Sequence, residues 1–191
     1  HPDRRQPVGC ARRQSLGGGG GWVEAAFAGS AGGAGSSGTI DMELDGNIVA
    51  PNSNSTAIFA QSVGADGAGS ITIDLTGHVR GGSGDGVGIA LDGGLANRIR
   101  TDGSLSAVSG VAVTGTTGND WIDNRGLLIG DVLLDAGDNR VRNADGASYI
   151  ARSTIDLGGT GGAEAVNGAN SFVNEGLFVM GLDAPLWPID L

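Results

Sequence analysis

The stretch ITIDLTGHVRG, residues 71–81, carries the pattern that decides the fold. Apolar residues at positions 71, 73 and 75 alternate with polar ones, Gly77 interrupts the run, and the alternation resumes at Val79. Because successive side chains of a strand point to opposite faces, this pattern predicts two short strands joined at a corner, each with one apolar face. We expect the glycine to take a positive φ at that corner.

The same motif recurs along most of the chain, at intervals of 20 to 31 residues. We predict corner glycines in its copies at Gly46, Gly77, Gly103, Gly126, Gly146 and Gly176. Shorter apolar segments between the copies supply further strands. No single coil can bury its apolar face alone, but stacked coils can, so the sequence predicts an all-β, right-handed parallel β-helix (β-solenoid) of about five to six rungs. A Greek-key sandwich is the alternative, but it does not explain a recurrent glycine motif with matching flanks.

Equivalent positions in successive coils predict ladders of stacked side chains. An amide ladder is expected from Asn124, Asn143 and Asn174. An apolar ladder is expected from Leu44, Leu75, Ile129 and Val179.

Composition restricts the class of protein. The 191 residues include 38 glycines, 11 arginines and no lysine, and the net charge is −10. Glycine and aspartate are poor helix formers, which disfavours a helical domain. An acidic surface repels phosphate, which argues against a nucleic-acid partner. Cys10 is the single cysteine, so no disulfide within the chain is predicted.

Composition also divides the chain. Residues 1–21, rich in arginine and then in glycine, are predicted to form a flexible leader. Residues 22–181 are predicted to form the β-solenoid, with 22–38 as a cap, and residues 182–191 are predicted to form a C-terminal tail or second cap. No apolar run reaches the ~20 residues of a membrane-spanning helix, so no membrane-spanning segment is predicted.

Two segments carry a family resemblance. AIFAQSVG, residues 57–64, with the glycine-rich stretch after it, resembles the GIxAQSxGGGG segment of bacterial autotransporter passenger domains. GNDWIDNRGLLIGDVLLDAGDN, residues 118–139, is similar to their GNDTVxNxGTIxGDVxLGxGDN coil. The resemblance spans about residues 30–181. It implies an extracellular β-helix at the outer-membrane surface of a Gram-negative bacterium, exported through a C-terminal barrel, and we expect this chain to be a fragment of such a passenger without the barrel.

Few residues suggest chemistry. His78 is the only histidine outside the first position, and at a predicted corner it is expected to face solvent, so no catalytic residue is predicted. A carboxylate pair beside an aromatic ring is what a glycan site needs, which makes Asp120, Trp121 and Asp123 weak candidates for glycan binding. The aspartates, arginines and aromatic residues otherwise look scattered.

A degenerate calcium-binding nonapeptide around residues 115–122, with a second segment at 134–139, makes Asp120, Asp135 and Asp138 weak calcium candidates. No cofactor is predicted. The sequence therefore favours a non-catalytic adhesin or surface scaffold that binds a host or cell-surface protein or glycan, or associates with itself end to end. The alternatives are a carbohydrate-active β-helix and a calcium-binding β-roll.

Overall fold

The computed structural model describes residues 11–16, 35–159 and 169–181. Within them, eighteen strands form three parallel sheets of six strands each, and there is no helix. The predicted parallel β-helix is therefore confirmed. The described residues accordingly include no apolar helix that could cross a membrane.

The three sheets, named A, B and C, run along the sides of the β-helix. In spatial order, sheet A contains β1 (Ala11–Leu16), β4 (Ile58–Val63), β7 (Val87–Gly93), β10 (Val111–Thr114), β13 (Asp131–Leu133) and β16 (Ile155–Asp156). Sheet B contains β2 (Ile40–Leu44), β5 (Ile71–Leu75), β8 (Ala96–Thr101), β11 (Asn119–Asn124), β14 (Arg140–Asn143) and β17 (Ser171–Asn174). Sheet C contains β3 (Ile48–Val49), β6 (His78–Gly81), β9 (Ser104–Ala107), β12 (Leu127–Ile129), β15 (Ser148–Ala151) and β18 (Leu177–Met180).

The chain passes through sheets B, C and A in turn, so that each passage makes one coil. The first coil is β2, β3 and β4, and the sixth consists of β17 and β18. Residues 11–16, predicted to belong to a flexible leader, instead form β1 and pair in parallel with β4. Most of the predicted caps, at 22–34 and 182–191, lie outside the described residues.

One continuous apolar ladder from each sheet forms the main part of the core. The ladders are Ile58, Ile89, Val113, Val132 and Ile155 in sheet A; Met42, Ile73, Ile99, Ile122, Val141 and Phe172 in sheet B; and Ile48, Val79, Leu105, Leu128, Tyr149 and Phe178 in sheet C. Most of these side chains are fully buried, and each such burial contributes about 1.5–3 kcal/mol.

Three aromatic rings close the C-terminal end of this core. The ring centroids of Tyr149 and Phe178 lie 5.5 Å apart, and those of Phe172 and Phe178 lie 5.0 Å apart, in tilted arrangements. Burial raises the pKa of the Tyr149 hydroxyl, with a smaller contribution from the charge of Asp131.

The predicted amide ladder is present at the corner between sheets B and C. Asn124 Nδ2 donates to Asn143 Oδ1 at 2.7 Å, and Asn143 Nδ2 donates to Asn174 Oδ1 at 2.7 Å. The same column begins with Leu44, Leu75 and Thr101 in the first three coils. We call these six residues the corner column.

The predicted apolar ladder is only partly formed. Leu44 stacks on Leu75 in the corner column. Ile129 and Val179 instead belong to the outer face of sheet C, where each stacks on Ile150. The sequence L-L-I at 127–129 contains no alternation of apolar and polar residues, so it does not indicate which side chain points inward. In the structure it is the middle residue, Leu128.

Four of the six corner glycines, Gly77, Gly103, Gly126 and Gly176, are needed for a reason other than the predicted positive φ. Of the six, only Gly146 has a positive φ, 77°, while Gly46, Gly77, Gly103, Gly126 and Gly176 do not. A Cβ on Gly77, Gly103 or Gly126 would lie less than 3.0 Å from the carbonyl oxygen of the glycine one coil earlier. Backbone packed directly on backbone therefore excludes a side chain there.

Gly146 lies outside that stack. Asn143 and Ser148 are the equivalents of Asn124 and Leu127 in the coil before and of Asn174 and Leu177 in the coil after. The segment between Asn143 and Ser148 is two residues longer than the segment between Asn124 and Leu127. Gly146 belongs to this two-residue insertion, and a Cβ on it would meet nothing within 4 Å.

Candidate functional site

Three consecutive strands of sheet B carry the same five-residue pattern. The segments NRIRT (97–101), DWIDN (120–124) and NRVRN (139–143) are in register, with Ile99, Ile122 and Val141 stacked in the core. Because strand side chains alternate, the residues on either side of each core residue point outward. The outer face therefore carries two columns: Arg98, Trp121 and Arg140 in one, and Arg100, Asp123 and Arg142 in the other.

The first column is a tryptophan between two arginines. The guanidinium carbon Cζ lies 5.1 Å from the ring centroid for Arg98 and 5.6 Å for Arg140, within the range of a cation–π interaction. The two arginines come from the strands on either side of Trp121, so they contact the ring from both sides. Trp121 keeps 38% of its surface exposed.

The second column is a network of ion pairs around a buried carboxylate. Asp123 is 0% exposed and accepts hydrogen bonds from Arg125 Nε at 2.8 Å and from Arg142 Nη1 at 3.2 Å. Arg142 Nη2 also donates to Glu175 at 2.6 Å, and this hydrogen bond raises the pKa of the Arg142 guanidinium. Two arginines therefore neutralise the carboxylate of Asp123.

Two arginines of this surface have no acidic partner. Arg100 Nε pairs with Asp102 at 2.8 Å, whereas Arg98 and Arg140 make no ion pair with any residue that the structure describes. The Nε atom of Arg98 is buried without a hydrogen-bond partner. We call the set Arg98, Arg100, Trp121, Arg125, Arg140 and Arg142 the Arg–Trp face.

The rest of the outer face of sheet B has the opposite charge. In the first two coils it carries Asp41, Glu43 and Asp74 at the positions that the Arg–Trp face occupies later. A shallow depression lies between the two regions, lined by Glu43, Asp45, Asp74, Thr76, Arg100 and Asp102. Sheet B is thus acidic towards one end and rich in arginine towards the other.

The structure separates the carboxylates of the predicted glycan site. Trp121 and Asp123 point outward, but Asp120 points into the core and is 1% exposed. Asp120 and Asp123 therefore do not face one ligand, and the prediction of a carboxylate pair is wrong.

Asp120 belongs to a polar column inside the β-helix. Its Oδ1 accepts a hydrogen bond from Asn97 Nδ2 at 2.8 Å, and its N–H donates to Asn139 Oδ1 at 2.8 Å. The second oxygen, Oδ2, has no partner. Burial raises the pKa of this carboxyl to about 6, although the hydrogen bond from Asn97 acts in the opposite direction. Gly115 leaves the space that this carboxyl occupies.

The predicted calcium residues are not assembled into a site. Asp135 is exposed and accepts the Ala136 N–H at 2.8 Å, while Asp138 is exposed and accepts the Ala169 N–H at 2.9 Å. Asp120 lies in the core. In the parts of the chain that the structure describes, no three His, Cys, Asp or Glu side chains are placed to hold a metal ion.

His78 is exposed on sheet C, as expected for this residue. Its Nδ1 lies 2.7 Å from Ser104 Oγ, which stacks beside it. A triad needs a carboxylate on the other ring nitrogen, and none of the described residues supplies one.

The Arg–Trp face was not predicted from the sequence, in which aspartates, arginines and aromatic residues look scattered. The structure gathers them in three adjacent coils. The signal that identifies them is the alignment of NRIRT, DWIDN and NRVRN on the central apolar residue, which puts Arg98, Trp121 and Arg140 in one column. Aligning the corner glycines alone misses the third copy, because the insertion at Gly146 changes the spacing.

Comparison with family models, with curated proteins and with solved structures gives no match to this chain.

Proposed function

We propose that this chain is a non-catalytic segment of an extracellular adhesin or surface scaffold, of the autotransporter passenger type, at the surface of a Gram-negative bacterium. The observation that carries the proposal is the Arg–Trp face. It is an exposed aromatic and arginine cluster on an otherwise acidic protein, and exposed aromatic and arginine side chains are enriched where proteins bind partners. The repeat resemblance supports the location.

The geometry favours binding over hydrolysis. Hydrolysis of a glycosidic bond needs two carboxyl groups facing the ligand, one of which is protonated. Beside the Arg–Trp face, the carboxylates of Asp102, Asp123 and Glu175 are each held in an ion pair with an arginine, and Asp123 is fully buried. The carboxyl with a pKa near 6, that of Asp120, lies inside the core.

The scaffold also suits adhesion. Arg98, Trp121 and Arg140 lie on neighbouring strands about 4.8 Å apart, and each of those strands is hydrogen-bonded on both sides. A binding surface fixed in this way loses little conformational entropy when a partner binds.

Adhesion of coated beads tests this proposal. We expect beads that carry the wild-type chain to bind glycan-bearing epithelial cells. Beads that carry the triple variant Arg98→Ala, Trp121→Ala, Arg140→Ala should bind at least tenfold less, because the variant loses roughly two or three hot-spot contacts. Arg80→Ala, on the outer face of sheet C, is the matched control and should bind like wild type. Circular dichroism checks that each variant is folded. Equal adhesion of wild type and the triple variant would contradict the proposal.

A second candidate function is end-to-end self-association. Phe172 and Met180 occupy inward positions of the last described coil and are 37% and 53% exposed, whereas their equivalents one coil earlier, Val141 and Ala151, are fully buried. Among the described strands, none pairs with the outer edges of β17 and β18. Sedimentation velocity over a hundredfold range of concentration should reveal dimers that Met180→Glu abolishes. A monomer at every concentration rules this candidate out.

A further inference from the structure

We infer that the Arg–Trp face binds an acidic polysaccharide whose carboxylates lie two sugars apart, with Arg98 and Arg140 each holding one carboxylate. This inference rests on the proposed function and names the class of ligand for it.

Stacking on Trp121 does not use the N–H donors of Arg98 and Arg140; Nε of Arg98 is buried, which leaves the Nη donors of that residue for a ligand. A guanidinium that lies over an aromatic ring uses its flat face for that contact, and its N–H donors remain in its own plane. Those in-plane donors are the ones that bind a carboxylate in bidentate fashion. Neither Arg98 nor Arg140 spends them on an acidic partner among the described residues. Trp121 therefore fixes two guanidinium groups in a position to receive carboxylates.

The spacing of the two arginines selects a sparsely charged ligand. Arg98 and Arg140 lie two strands apart in sheet B, about 9.6 Å at the usual strand separation. This separation is close to that of acid groups on alternate sugars of an extended polysaccharide. A nucleic acid carries charges more closely than this, and its other phosphates would meet the acidic remainder of the protein.

The groups beside the two arginines suit hydroxyls. Asp102 and Glu175 are exposed hydrogen-bond acceptors, and Arg100 and Arg142 are donors, so both kinds of partner that a sugar hydroxyl needs are present next to Arg98 and Arg140. An extended acidic peptide would bind best along an open strand edge, but the Arg–Trp face lies on interior strands of sheet B whose backbone groups are already paired. A saccharide fits this surface better than a peptide.

The test is isothermal titration calorimetry of the full chain with a hyaluronan octasaccharide, which carries a carboxylate on every second sugar. We expect binding that weakens when salt is raised from 50 to 500 mM, because exposed ion pairs are screened. Arg98→Ala and Arg140→Ala should each lower affinity about tenfold, as expected for the loss of one charge-assisted contact. Arg98→Lys should restore little, because lysine lacks the planar pair of donors. Arg80→Ala is the control and should bind as wild type does.

Three further probes distinguish the alternatives. The same octasaccharide with its carboxyl groups reduced to alcohols should bind at least tenfold more weakly, and equal binding would overturn the carboxylate role. A poly-glutamate peptide that binds more tightly than the saccharide would identify a protein partner and overturn the inference. A dimer in low salt that Arg140→Ala abolishes would show that the acidic half of a second copy occupies this face.

The outcomes separate this inference from the proposed function. Cell adhesion that depends on the Arg–Trp face, without any binding of the octasaccharide, would leave the adhesin proposal standing and refute the ligand class. Octasaccharide binding without bead adhesion would refute adhesion and support the ligand.

Discussion

Replacing the buried Asp120 by asparagine tests the electrostatics of the core. Its carboxyl is 1% exposed, and burial raises its pKa to about 6 from 3.8. One pKa unit corresponds to about 1.4 kcal/mol, so the difference amounts to ~3 kcal/mol in the free energy of unfolding. Asparagine is neutral at every pH, and this substitution therefore removes the cost of a buried charge.

The sign follows from which state holds the proton. Between pH 3.8 and pH 6 the folded chain keeps the proton on Asp120 and the unfolded chain releases it, so the contribution of this group to stability falls as pH rises. Above pH 6 that contribution is fully lost. We therefore expect Asp120→Asn to match wild type near pH 4 and to exceed its free energy of unfolding by up to ~3 kcal/mol at pH 7.

The assay is urea unfolding followed by circular dichroism at pH 4, 5, 6 and 7. Asp131→Asn is the matched control with the opposite sign. Burial acts to raise the pKa of Asp131, but hydrogen bonds from the N–H groups of Ser153 and Thr154 and from the Ser153 hydroxyl outweigh it and lower the pKa. The stability from this carboxylate is present above pH 3.8 and is lost as the pH falls through its lowered pKa, so Asp131→Asn should destabilise the chain at pH 7 by about 1.5 kcal/mol or more. A gain from Asp120→Asn that does not change between pH 4 and pH 7, or a loss at pH 7, would refute the reasoning.

Two further comparisons concern the corner between sheets B and C, both measured by urea unfolding. Gly126→Ala should cost about 3 kcal/mol or more, because its Cβ would collide with the carbonyl of Gly103, whereas Gly146→Ala should cost only about 1–2 kcal/mol for a positive φ in open space; equal costs would refute the backbone-contact explanation. Asn143→Ala removes three hydrogen bonds, to Asn124, Asn174 and a backbone carbonyl, and should cost about 3 kcal/mol. Asn174→Ala, at the exposed end of the same ladder, should cost about 1 kcal/mol. A cost equal to that of Asn143→Ala would show that the buried hydrogen bonds of the ladder contribute no more stability than the exposed one.

The alternation of apolar and polar residues predicts the strands, their inward faces and the stacking of coils, because period two and a recurrent motif follow directly from side-chain geometry. The amide ladder is predictable for the same reason: Asn124, Asn143 and Asn174 stand at one offset from the core residue of each coil. The predictions that were wrong concern contacts between coils. Whether Gly126 is needed for its φ or for its missing Cβ is decided by the carbonyl of Gly103.

The prediction that Asp120 and Asp123 form a glycan site is wrong for a related reason. Asp120 and Asp123 are three residues apart in a strand, and period two already places them on opposite faces. The two carboxylates match in chemistry, but this alternation keeps them from facing one ligand. The pairing of Trp121 with Arg98 and Arg140 needs the register of three strands at once, which a single motif does not contain.

The corner column has a consequence for how the coils find their partners. A stack of similar coils can misassemble by a shift of one whole coil, and alternation does not prevent this error, because every coil would still bury its apolar face. The column changes along the chain, from Leu44 and Leu75 through Thr101 to three asparagines. A shifted coil at the boundary would lay an asparagine against a leucine and leave a buried amide without its partner, which costs about 1–3 kcal/mol. The change from leucine to asparagine along the corner column therefore distinguishes the first coils from the later ones. It favours the correct stacking of coils over a stacking shifted by one coil.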